Sequence, residues 1–442
     1  MATIEFGAGK ATTSLDAALT AAGAGGTVLS YGPHTDTKAG LTTWALNNVT
    51  WTHMGGGDYE FDGGLATNDC LKINGTGNTL NLLNADATRV KVTGYGRYVF
   101  WVNGANNTVN DPYVYDNGFL YVAAPNAHCY HYLLYANSTI NRPVIAGGID
   151  TGSRHYGLYI VGSGGGSVTD AAMSGLVTTG AGRVYGVASN GSCGSVLIDG
   201  ITISNCSASG AVFLFLWGGT GTGDIMQVRR AAVDSVTSAG TCYIFNASAR
   251  AMDVEDFVVS NCSGSAIVAQ AAGSYVGGIS RAVSGLIYGM AVDGIQASTS
   301  VVGSAPTIRN VIARDCAGIG FRSVGTFAPD SDNNCAYNNG TNYDGWTQGV
   351  GDITADPDHA DAASGDFTLN AGSPCIDKGA TIAGRSDDFN GDPISKQTDI
   401  GPFEYQWPPE GHSRWESSFI VAATQRFDIT QGIASAQVDI VA

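Results

Sequence analysis

DGITISNC (199–206) and EDFVVSNC (255–262) are two copies of a short phrase that recurs through the middle of the chain. Each copy has an apolar stretch, a small polar pair and a final Cys or branched aliphatic residue. The final residues of six copies, which we use as anchors of the repeat, lie 30, 30, 26, 25 and 29 residues apart: Leu176, Cys206, Val236, Cys262, Ile287 and Cys316. Self-similarity at this period indicates a solenoid, in which each repeat is one coil stacked on the previous one.

The residue types within the phrase indicate β-strands. Branched apolar residues recur at a period of two, as in Ile201 and Ile203, and clusters of Gly and Ser separate the runs. No run shows the 3.6-residue periodicity over ten or more residues that a helical solenoid needs. We therefore predict an all-β fold, a single-stranded right-handed parallel β-helix with an N-terminal cap and a short C-terminal β tail. Strands of successive coils would pair about 4.8 Å apart.

Changes in composition divide the chain into four predicted parts. A short helix is predicted between the N-cap residue Ser14 and Gly23, and the Pro pair that follows Trp407 ends the repeat region. The parts are 1–60, the N-terminal cap and first coil; 61–324, the parallel β-helix; 325–406, the last coils and a closing segment; and 407–442, a C-terminal β tail that acts as a cap or a trimerisation element.

Two motifs resemble those of known proteins. SLDAALTAAGAGGTVL (14–29) resembles the opening of many pectate-lyase-like β-helix proteins. GDFTLNAGSPCIDKG (365–379) and DIGPFE (399–404) resemble the closing segment of many bacterial and phage right-handed β-helix repeat proteins, with Cys375 in place of the usual Ala. The tail is similar to a small version of the intertwined β tail of trimeric phage spikes. The resemblance implies the fold and by itself implies no activity.

The composition argues against several classes of partner. The net charge of −17 and the pI near 4.6 disfavour a nucleic-acid or anionic-membrane surface, which needs clustered Lys and Arg. No run of 18 apolar residues is present, so we predict no membrane insertion. The start of the chain, MATIEFGAGKATTS, contains no classical secretory signal. We therefore expect localisation in a virion that is assembled in the host cytoplasm.

Three of the nine cysteines are explained by the repeat. Cys206, Cys262 and Cys316 share one column of the coils, and members two coils apart would lie about 9–10 Å apart. A disulfide needs Cα atoms within about 7 Å, so we predict small buried hydrophobic residues. The remaining cysteines show no zinc spacing, and the Asp-rich stretch 387–392 does not follow the EF-hand order. We predict no metal and no cofactor.

Charged residues gather in two neighbouring columns. Asp199, Arg229 and Glu255 stand seven positions before their anchors, and Arg230 and Asp256 stand one position later. One interpretation, which we favour, is a salt-bridge ladder along the edge of the coils. The other makes Asp199, Glu255 and Asp256 a catalytic cluster, with Arg229 and Arg230 binding an acidic sugar. Asp199 and Glu255 would lie about 9–10 Å apart, which is compatible with an inverting glycosidase.

Other candidate site residues lie outside these columns. Asp234 is the one carboxylate in an outward column of serines, which makes it a further catalytic candidate. Arg154 and His155, next to Tyr156, form the one tight basic–His–aromatic group in the coils. They would serve as the base and charge neutraliser of a lyase and so bind substrate, or they would form a solvated turn. The anchor alignment also places Arg281 in the column of Asp256.

Aromatic residues are concentrated between residues 95 and 135. Tyr98, Trp101 and Tyr115 are candidates for a surface on which sugar rings stack. The alternative, which we favour, is that the aromatic residues of this region fill the coil interior or a subunit contact.

Three functional classes remain open at this point. The first is a bacteriophage virion protein, such as a tailspike, fibre or head-surface spike, that presents a rigid trimeric solenoid for host glycan binding. Its expected partners are two further copies, bacterial surface polysaccharide and other virion proteins. The second is a secreted polysaccharide lyase or glycoside hydrolase of the pectate-lyase-like type, with hydrolysis favoured because lysines are few. The third is a non-catalytic capsid-decorating or adhesin spacer. Whether the protein is an enzyme is left open.

Overall fold

Each repeat of the sequence forms one coil of a parallel β-helix. The structure, a computed structural model, describes residues 2–37, 42–66, 70–95, 98–115, 128–135, 137–150, 154–161, 164–179, 182–190, 194–218, 224–247, 251–270, 279–298, 306–323, 331–394 and 397–406. The predicted tail, 407–442, lies outside these ranges. The described strands form an 18-stranded sheet, a 12-stranded sheet and a 4-stranded sheet, and pairing between coils is parallel throughout these three sheets. The predicted right-handed parallel β-helix is confirmed.

The described helix and strands follow in chain order. They are β1 (Thr3–Gly7), α1 (Leu15–Ala22), β2 (Thr27–Tyr31), β3 (His34–Thr37), β4 (Thr42–Trp44), β5 (Thr50–His53), β6 (Tyr59–Ala66), β7 (Leu71–Ile73), β8 (Thr79–Asn81), β9 (Val90–Tyr95), β10 (Tyr98–Val102), β11 (Thr108–Asn110), β12 (Tyr113–Tyr115), β13 (His128–Tyr135), β14 (Ser138–Asn141), β15 (Val144–Ala146), β16 (Ile149–Asp150), β17 (Arg154–Val161), β18 (Gly166–Ser174), β19 (Val177–Thr178), β20 (Arg183–Asn190), β21 (Val196–Ser204), β22 (Ser207–Ala208), β23 (Ala211–Gly218), β24 (Ile225–Asp234), β25 (Thr237–Ser238), β26 (Cys242–Ala247), β27 (Ala251–Ser260), β28 (Ser265–Gln270), β29 (Ile279–Tyr288), β30 (Ile295–Ser298), β31 (Thr307–Arg314), β32 (Ile319–Ser323), β33 (Cys335–Tyr337), β34 (Thr341–Asp344), β35 (His359–Asp361), a 3-10 turn (Ala362–Ser364) and β36 (Asp366–Leu369). None of the described helices has the length and apolar character needed to cross a membrane.

The N-terminal helix α1 forms as the sequence predicts. The Ser14 side chain accepts a hydrogen bond from the Ala17 amide, and Gly23 ends the helix with a positive φ of 67°. Its buried face, which includes Leu15 and Leu19, belongs to the same apolar cluster as the coil interior. The helix therefore covers apolar side chains that the first coil would otherwise expose to water.

A left-handed residue bends each long strand of the 18-stranded sheet at the same place. The φ values in this corner column lie between 49° and 75°; in order along the coils the residues are Asp170, Gly200, Arg230, Asp256, Ser284 and Asn310. Gly, Asn and Asp tolerate this conformation more readily than other residues. The stacking of coils imposes it on Arg230 and Ser284 as well. At the bend the alternation of inward and outward side chains shifts by one residue. Two adjacent positions of the coil, such as Asp199 and Gly200, therefore both face outward, which leaves room for charged residues at the corner.

The interior confirms the cysteine prediction and corrects one anchor. Cys206, Cys262 and Cys316 are at most 2% exposed and carry free thiols within the apolar interior. The member between Cys262 and Cys316 is Met290 rather than Ile287, because the Ala291 amide donates to the carbonyl of Cys262 and the Ala317 amide donates to that of Met290. Ile287 instead pairs with Val259. The anchor alignment is therefore wrong by three residues in that coil.

The closing segment, residues 356–406, folds back against the outer face of the last coils. One outward column becomes apolar along the axis, from Thr202 and Ala232 to Val258, Leu286, Ile312 and Cys335. These last four side chains form an apolar cluster, separate from the coil interior, with Phe367, Leu369, Cys375, Ile400 and Phe403 of the closing segment. Burial of this apolar column holds the closing segment in place.

Candidate functional site

A polar depression of about 160 Å³ lies where the closing segment meets the edge of the coils. Three neighbouring strands and one loop of the closing segment line it: Gln227, Val228 and Arg229 from β24, Asp253 and Glu255 from β27, Arg281 from β29, and Ala383 and Gly384 from the loop. We call this the edge depression. It is smaller than the roughly 300–1,000 Å³ of a drug-sized site, so its volume suits one small polar unit.

Strand register explains why these side chains converge. Gln227 pairs with Asp253 and Arg229 pairs with Glu255 across adjacent coils. Asp253 and Glu255 stand two residues apart on one strand, so both point to the same face with about 6–7 Å between their backbone positions. A register shift after Met252 places Arg281 opposite Asp253. The sequence alignment had placed Arg281 beside Asp256, because it used Ile287 as the anchor.

Glu255 lies between two guanidinium groups. Its Oε2 accepts a hydrogen bond of 2.6 Å from Arg281 Nη2, and its Oε1 lies 3.9 Å from Arg229 Nη2. The residue is 9% exposed, whereas the Arg229 side chain is 40% exposed. Arg229 Nε is nevertheless buried and has no hydrogen-bond partner among the described residues. Part of the donor capacity of Arg229 thus stays unused in the depression.

Asp253 occupies a different electrostatic environment from Glu255. Burial raises the pKa of the Asp253 carboxyl group, and the nearby charge of Glu255 raises it further, while Arg281 lowers it. The neutral acid is therefore favoured at Asp253 relative to an exposed aspartate. Two carboxyl groups on one face, one hydrogen-bonded by Arg and one shifted towards the protonated form, have the chemistry of a general acid–base pair.

Asp256, the residue next to Glu255, serves a different contact. It lies in the corner column, and Arg385 of the closing segment donates to its Oδ1 from Nε at 2.8 Å and approaches it with Nη2 at 2.7 Å. Arg385 Nη1 also donates to Glu404 Oε1 at 3.0 Å. All three side chains are at most 5% exposed. Burial raises the pKa of Asp256 and of Glu404 to about 7. The Asp256 carboxylate thus anchors the loop that walls the edge depression.

Asp199 takes part in an ion-pair ladder. Arg230, one coil further along, donates from Nε to Asp199 Oδ1 at 2.7 Å. Arg142 reaches back to Asp111 in the same way, at 2.6 and 2.8 Å. Of the ladder that the sequence favoured, the pair of Asp199 with Arg230 is therefore present, whereas Asp256 pairs with Arg385 of the closing segment. Neither Asp199 nor Arg230 lines the edge depression.

Asp234 lies in a network of outward polar side chains. Its Oδ1 accepts hydrogen bonds from Ser260 Oγ at 2.6 Å and from Asn261 Nδ2 at 2.9 Å, and its Oδ2 accepts one from Ser235 Oγ at 2.6 Å. These contacts tie two successive coils together. They use both oxygens of the Asp234 carboxylate, and Asp234 does not line the edge depression.

The structure does not bring Arg154 and His155 to a common surface. They are consecutive residues of β17, and Arg154 is exposed whereas His155 is fully buried. His155 Nδ1 lies 3.4 Å from the carbonyl oxygen of Val177, and burial lowers the pKa of the imidazole to about 4. His155 is therefore a neutral interior residue at ordinary pH.

The aromatic residues between 95 and 135 divide between the interior and the surface. Tyr95, Phe100 and Tyr132 are at most 1% exposed, which confirms the core interpretation for these three. Trp101 is partly exposed, with Lys72 Nζ 3.5 Å from its ring centroid. The Tyr115 hydroxyl, also partly exposed, donates to a carboxylate oxygen of Glu60. The Tyr98 side chain lies outside the described residues.

Sequence reasoning missed Asp253. Its position two residues before Glu255 in a period-2 strand was the available signal, since residues at that spacing share a face. The members of its column on the two preceding coils, Leu197 and Gln227, carry no charge, and the sequence alignment had assigned its charged neighbour Arg281 to another column. Columns searched for alternating charge therefore did not reveal it.

Comparison with known proteins yields structural similarity alone. The chain matches no protein-family description and no curated protein. It is similar to a PL6 alginate lyase in complex with a trisaccharide, at 12% identity and a TM-score of 0.33, over 80% of this chain and 86% of that one. It is similar to pectate lyase Pel9A, at 13% identity and a TM-score of 0.38, over 92% of this chain and 97% of that one. It is also similar to the A-module of the mannuronan C-5 epimerase AlgE4 of Azotobacter vinelandii, at 14% identity and a TM-score of 0.21, over 77% of this chain and 91% of that one. The pectate-lyase-like resemblance stands at the level of the parallel β-helix fold, which the strand pairing itself establishes.

Proposed function

We propose that the protein binds an acidic polysaccharide at the edge depression and hydrolyses it there. Asp253 acts as the general acid that protonates the leaving glycosidic oxygen, and Glu255 acts as the general base that takes a proton from the water molecule attacking the sugar carbon. The observation that carries this proposal is the placement of both carboxyl groups on one strand face, with Glu255 between two arginines. Glycoside hydrolysis uses a pair of carboxyl groups about 5–10 Å apart, and side chains on one strand face whose backbone positions lie about 6–7 Å apart can reach such a separation.

The arginines support an acidic substrate. The chain as a whole carries a net charge of −17, so long-range attraction does not favour a polyanion. Binding then depends on local contacts, and guanidinium groups bind carboxylates through paired hydrogen bonds. The Arg229 side chain is 40% exposed, and Arg281 lies on the other side of Glu255. A sugar carboxylate that enters the depression meets both.

Incubation with purified acidic bacterial polysaccharides tests the reaction. New reducing ends without unsaturated uronate products indicate hydrolysis, whereas unsaturated products indicate a lyase and contradict the assigned roles. Asp253→Asn and Glu255→Gln should each abolish product formation, and Asp199→Asn, in the ladder outside the depression, should keep it. Binding without cleavage by the intact protein would leave a non-catalytic glycan-binding protein, and neither binding nor cleavage would favour a spacer.

We propose a bacteriophage virion as the setting of this activity, with the protein as a trimeric spike or fibre that faces host surface polysaccharide. A small apolar cluster on the 12-stranded sheet, separate from the coil interior, has a buried centre around Tyr185 and partly exposed members, Phe213 and Leu216, which we propose as part of the subunit contact. Light scattering in solution tests this: three times the chain mass of 45.4 kDa is expected, and a stable monomer would exclude the trimeric spike. Contacts with other virion proteins are expected at the ends of such a trimer.

A further inference from the structure

Two cysteines meet where the closing segment packs on the last coil. Cys335 begins strand β33, and Cys375 lies in the closing segment, forty residues further along the chain. Both are 0% exposed and belong to the apolar cluster that holds the closing segment, next to Ile312 and Ile400. Both carry free thiols in the structure.

The two side chains are members of the same small buried cluster. An interaction between them is the largest cause of the raised pKa of Cys335, with burial second. Cys335 Sγ also donates to the Ala355 carbonyl oxygen at 3.4 Å. The backbone on each side is held: Ala336 donates its amide to the Ile353 carbonyl, and Ile400 donates its amide to the carbonyl of Cys375, at 3.0 Å each. Backbone hydrogen bonds therefore fix the chain beside each cysteine within the shared cluster.

We propose that Cys335 and Cys375 form a modification site, at which an oxidant of the disulfide class joins them and fastens the closing segment covalently to the last coil. One Cys thiolate attacks the oxidant and releases one of its two thiols; the second Cys thiolate attacks the mixed disulfide and releases the other. Two S–H bonds of the protein are lost and one S–S bond forms. The oxidant receives the two electrons and two protons and becomes two thiols.

Three other interior cysteines provide a contrast. Cys206 and Cys262 are separated in their column by Val236, and Cys262 and Cys316 by Met290. Members two coils apart lie about 9–10 Å apart, which is beyond the reach of a disulfide. Oxidation should therefore select the Cys335–Cys375 pair among these residues.

The bond would have a mechanical consequence. The segment after Cys375 carries Ala383 and Gly384, which wall the edge depression, and Arg385, which anchors that wall. A cross-link over forty residues restricts the unfolded chain, which stabilises the folded state. The redox state of the surroundings would then set how firmly the wall is held. Because both thiols are buried and the pKa of Cys335 is raised, reaction proceeds through local opening of the closing segment and is slow.

Oxidation of the intact protein tests the proposal. The full chain, purified with reductant and desalted, is incubated with oxidised glutathione, alkylated with iodoacetamide, digested and analysed by mass spectrometry. The expected result is one cross-linked peptide pair that joins Cys335 to Cys375, and an increase in Tm of several degrees that dithiothreitol reverses. Alkylation of both cysteines after prolonged oxidation, or their linkage to other cysteines, would overturn the proposal.

Two variants separate the site from general oxidation. Cys375→Ala should fold, since Ala fits a small buried position, and should gain no stability on oxidation. Cys316→Ala, which changes an interior cysteine outside the pair, should keep the full oxidation-dependent increase in Tm. A gain of stability by Cys375→Ala equal to that of the original protein would contradict the assignment. Peptide mapping of the original protein decides the matter even where a variant folds poorly.

Discussion

Asp253 and Glu255 point to the same face of strand β27, and Arg281 of the next coil donates a hydrogen bond of 2.6 Å to Glu255. The strand thus presents two carboxyl groups with different surroundings to one depression. Burial raises the pKa of Asp253, which favours its neutral form, while Glu255 forms ion pairs with the guanidinium groups of Arg229 and Arg281. Carboxylate pairs in such contrasting environments divide acid and base roles between them.

Replacement of either carboxyl group should remove hydrolysis without unfolding the protein. We expect Asp253→Asn and Glu255→Gln to lower kcat by about 10²–10⁴-fold, because each removes a proton-transfer group. Reducing-end release checks the activity, and circular dichroism with thermal melting checks the fold. Asp234→Asn is the matched control, because its carboxylate hydrogen-bonds Ser260 and Asn261 outside the depression. Equal loss of activity in that control would place the site elsewhere.

Replacement of Arg229 should weaken substrate binding more than it slows the reaction. Arg229→Met keeps the length of the side chain but removes the charge, and we expect KM for an acidic glycan to rise by about 10–100-fold, as for the loss of a charged hydrogen bond. The effect should shrink at high salt, which screens exposed charges. Arg142→Met, which loses an exposed pair with Asp111, is the control. A fall in kcat with unchanged KM would assign Arg229 a different role.

The architecture could be predicted because it repeats. A column pattern sampled over six coils identifies strands and interior residues even where one coil deviates, as Met290 does at the position expected for Ile287. The left-handed backbone of the corner column is also reflected in the sequence, because Asn and Asp are enriched at positions with positive φ. Repetition therefore compensated for an error in a single coil.

The candidate site could be predicted only in part, because it depends on features that occur once. Arg229 and Glu255 were found from the columns. The pairing of Arg281 with Asp253 depends on a register shift after Met252, which leaves no sequence signal. The contact of Arg385 with Asp256 joins residues 129 positions apart. Such a contact arises only once the closing segment folds back on the coils, so column reasoning could not reach it.

The buried carboxyl groups around Arg385 should make the closing segment dock more firmly in acid. Asp256 and Glu404 have pKa values raised to about 7 in the folded protein, from 3.8 and 4.5, because burial disfavours their charged forms. The folded state then binds more protons than the unfolded state between about pH 4 and pH 7. By linkage, the contribution of these two groups to the free energy of unfolding is fully present below about pH 4, and it is lost as the pH rises through 7.

Hydrogen exchange of residues 398–404 at pH 5 and pH 8 checks this pH dependence, after correction for intrinsic exchange rates. We expect greater protection at pH 5. The double variant Asp256→Asn with Glu404→Gln removes both titrating groups and should lose most of the difference. An unchanged difference in the double variant would mean that other carboxyl groups are responsible, such as Asp388 and Asp399, whose pKa values are also raised by burial.

Removal of the Arg385 guanidinium should destabilise the protein far more than removal of an exposed arginine. Arg385 is fully buried and contacts both Asp256 and Glu404, so Arg385→Met leaves two buried carboxyl groups without a cation. Loss of one partner of a buried ion pair costs about 3–5 kcal/mol, whereas loss of an exposed pair costs about 0–1 kcal/mol. Urea denaturation of Arg385→Met and of the exposed control Arg142→Met measures both costs at about pH 9, above the pKa values of about 7 of Asp256 and Glu404. Addition of Asp256→Asn and Glu404→Gln to Arg385→Met should restore part of the lost stability, because neutral amides are cheaper to bury than uncompensated charges. No recovery in that triple variant would show that Arg385 acts through packing and its hydrogen bond to Pro402 rather than through charge.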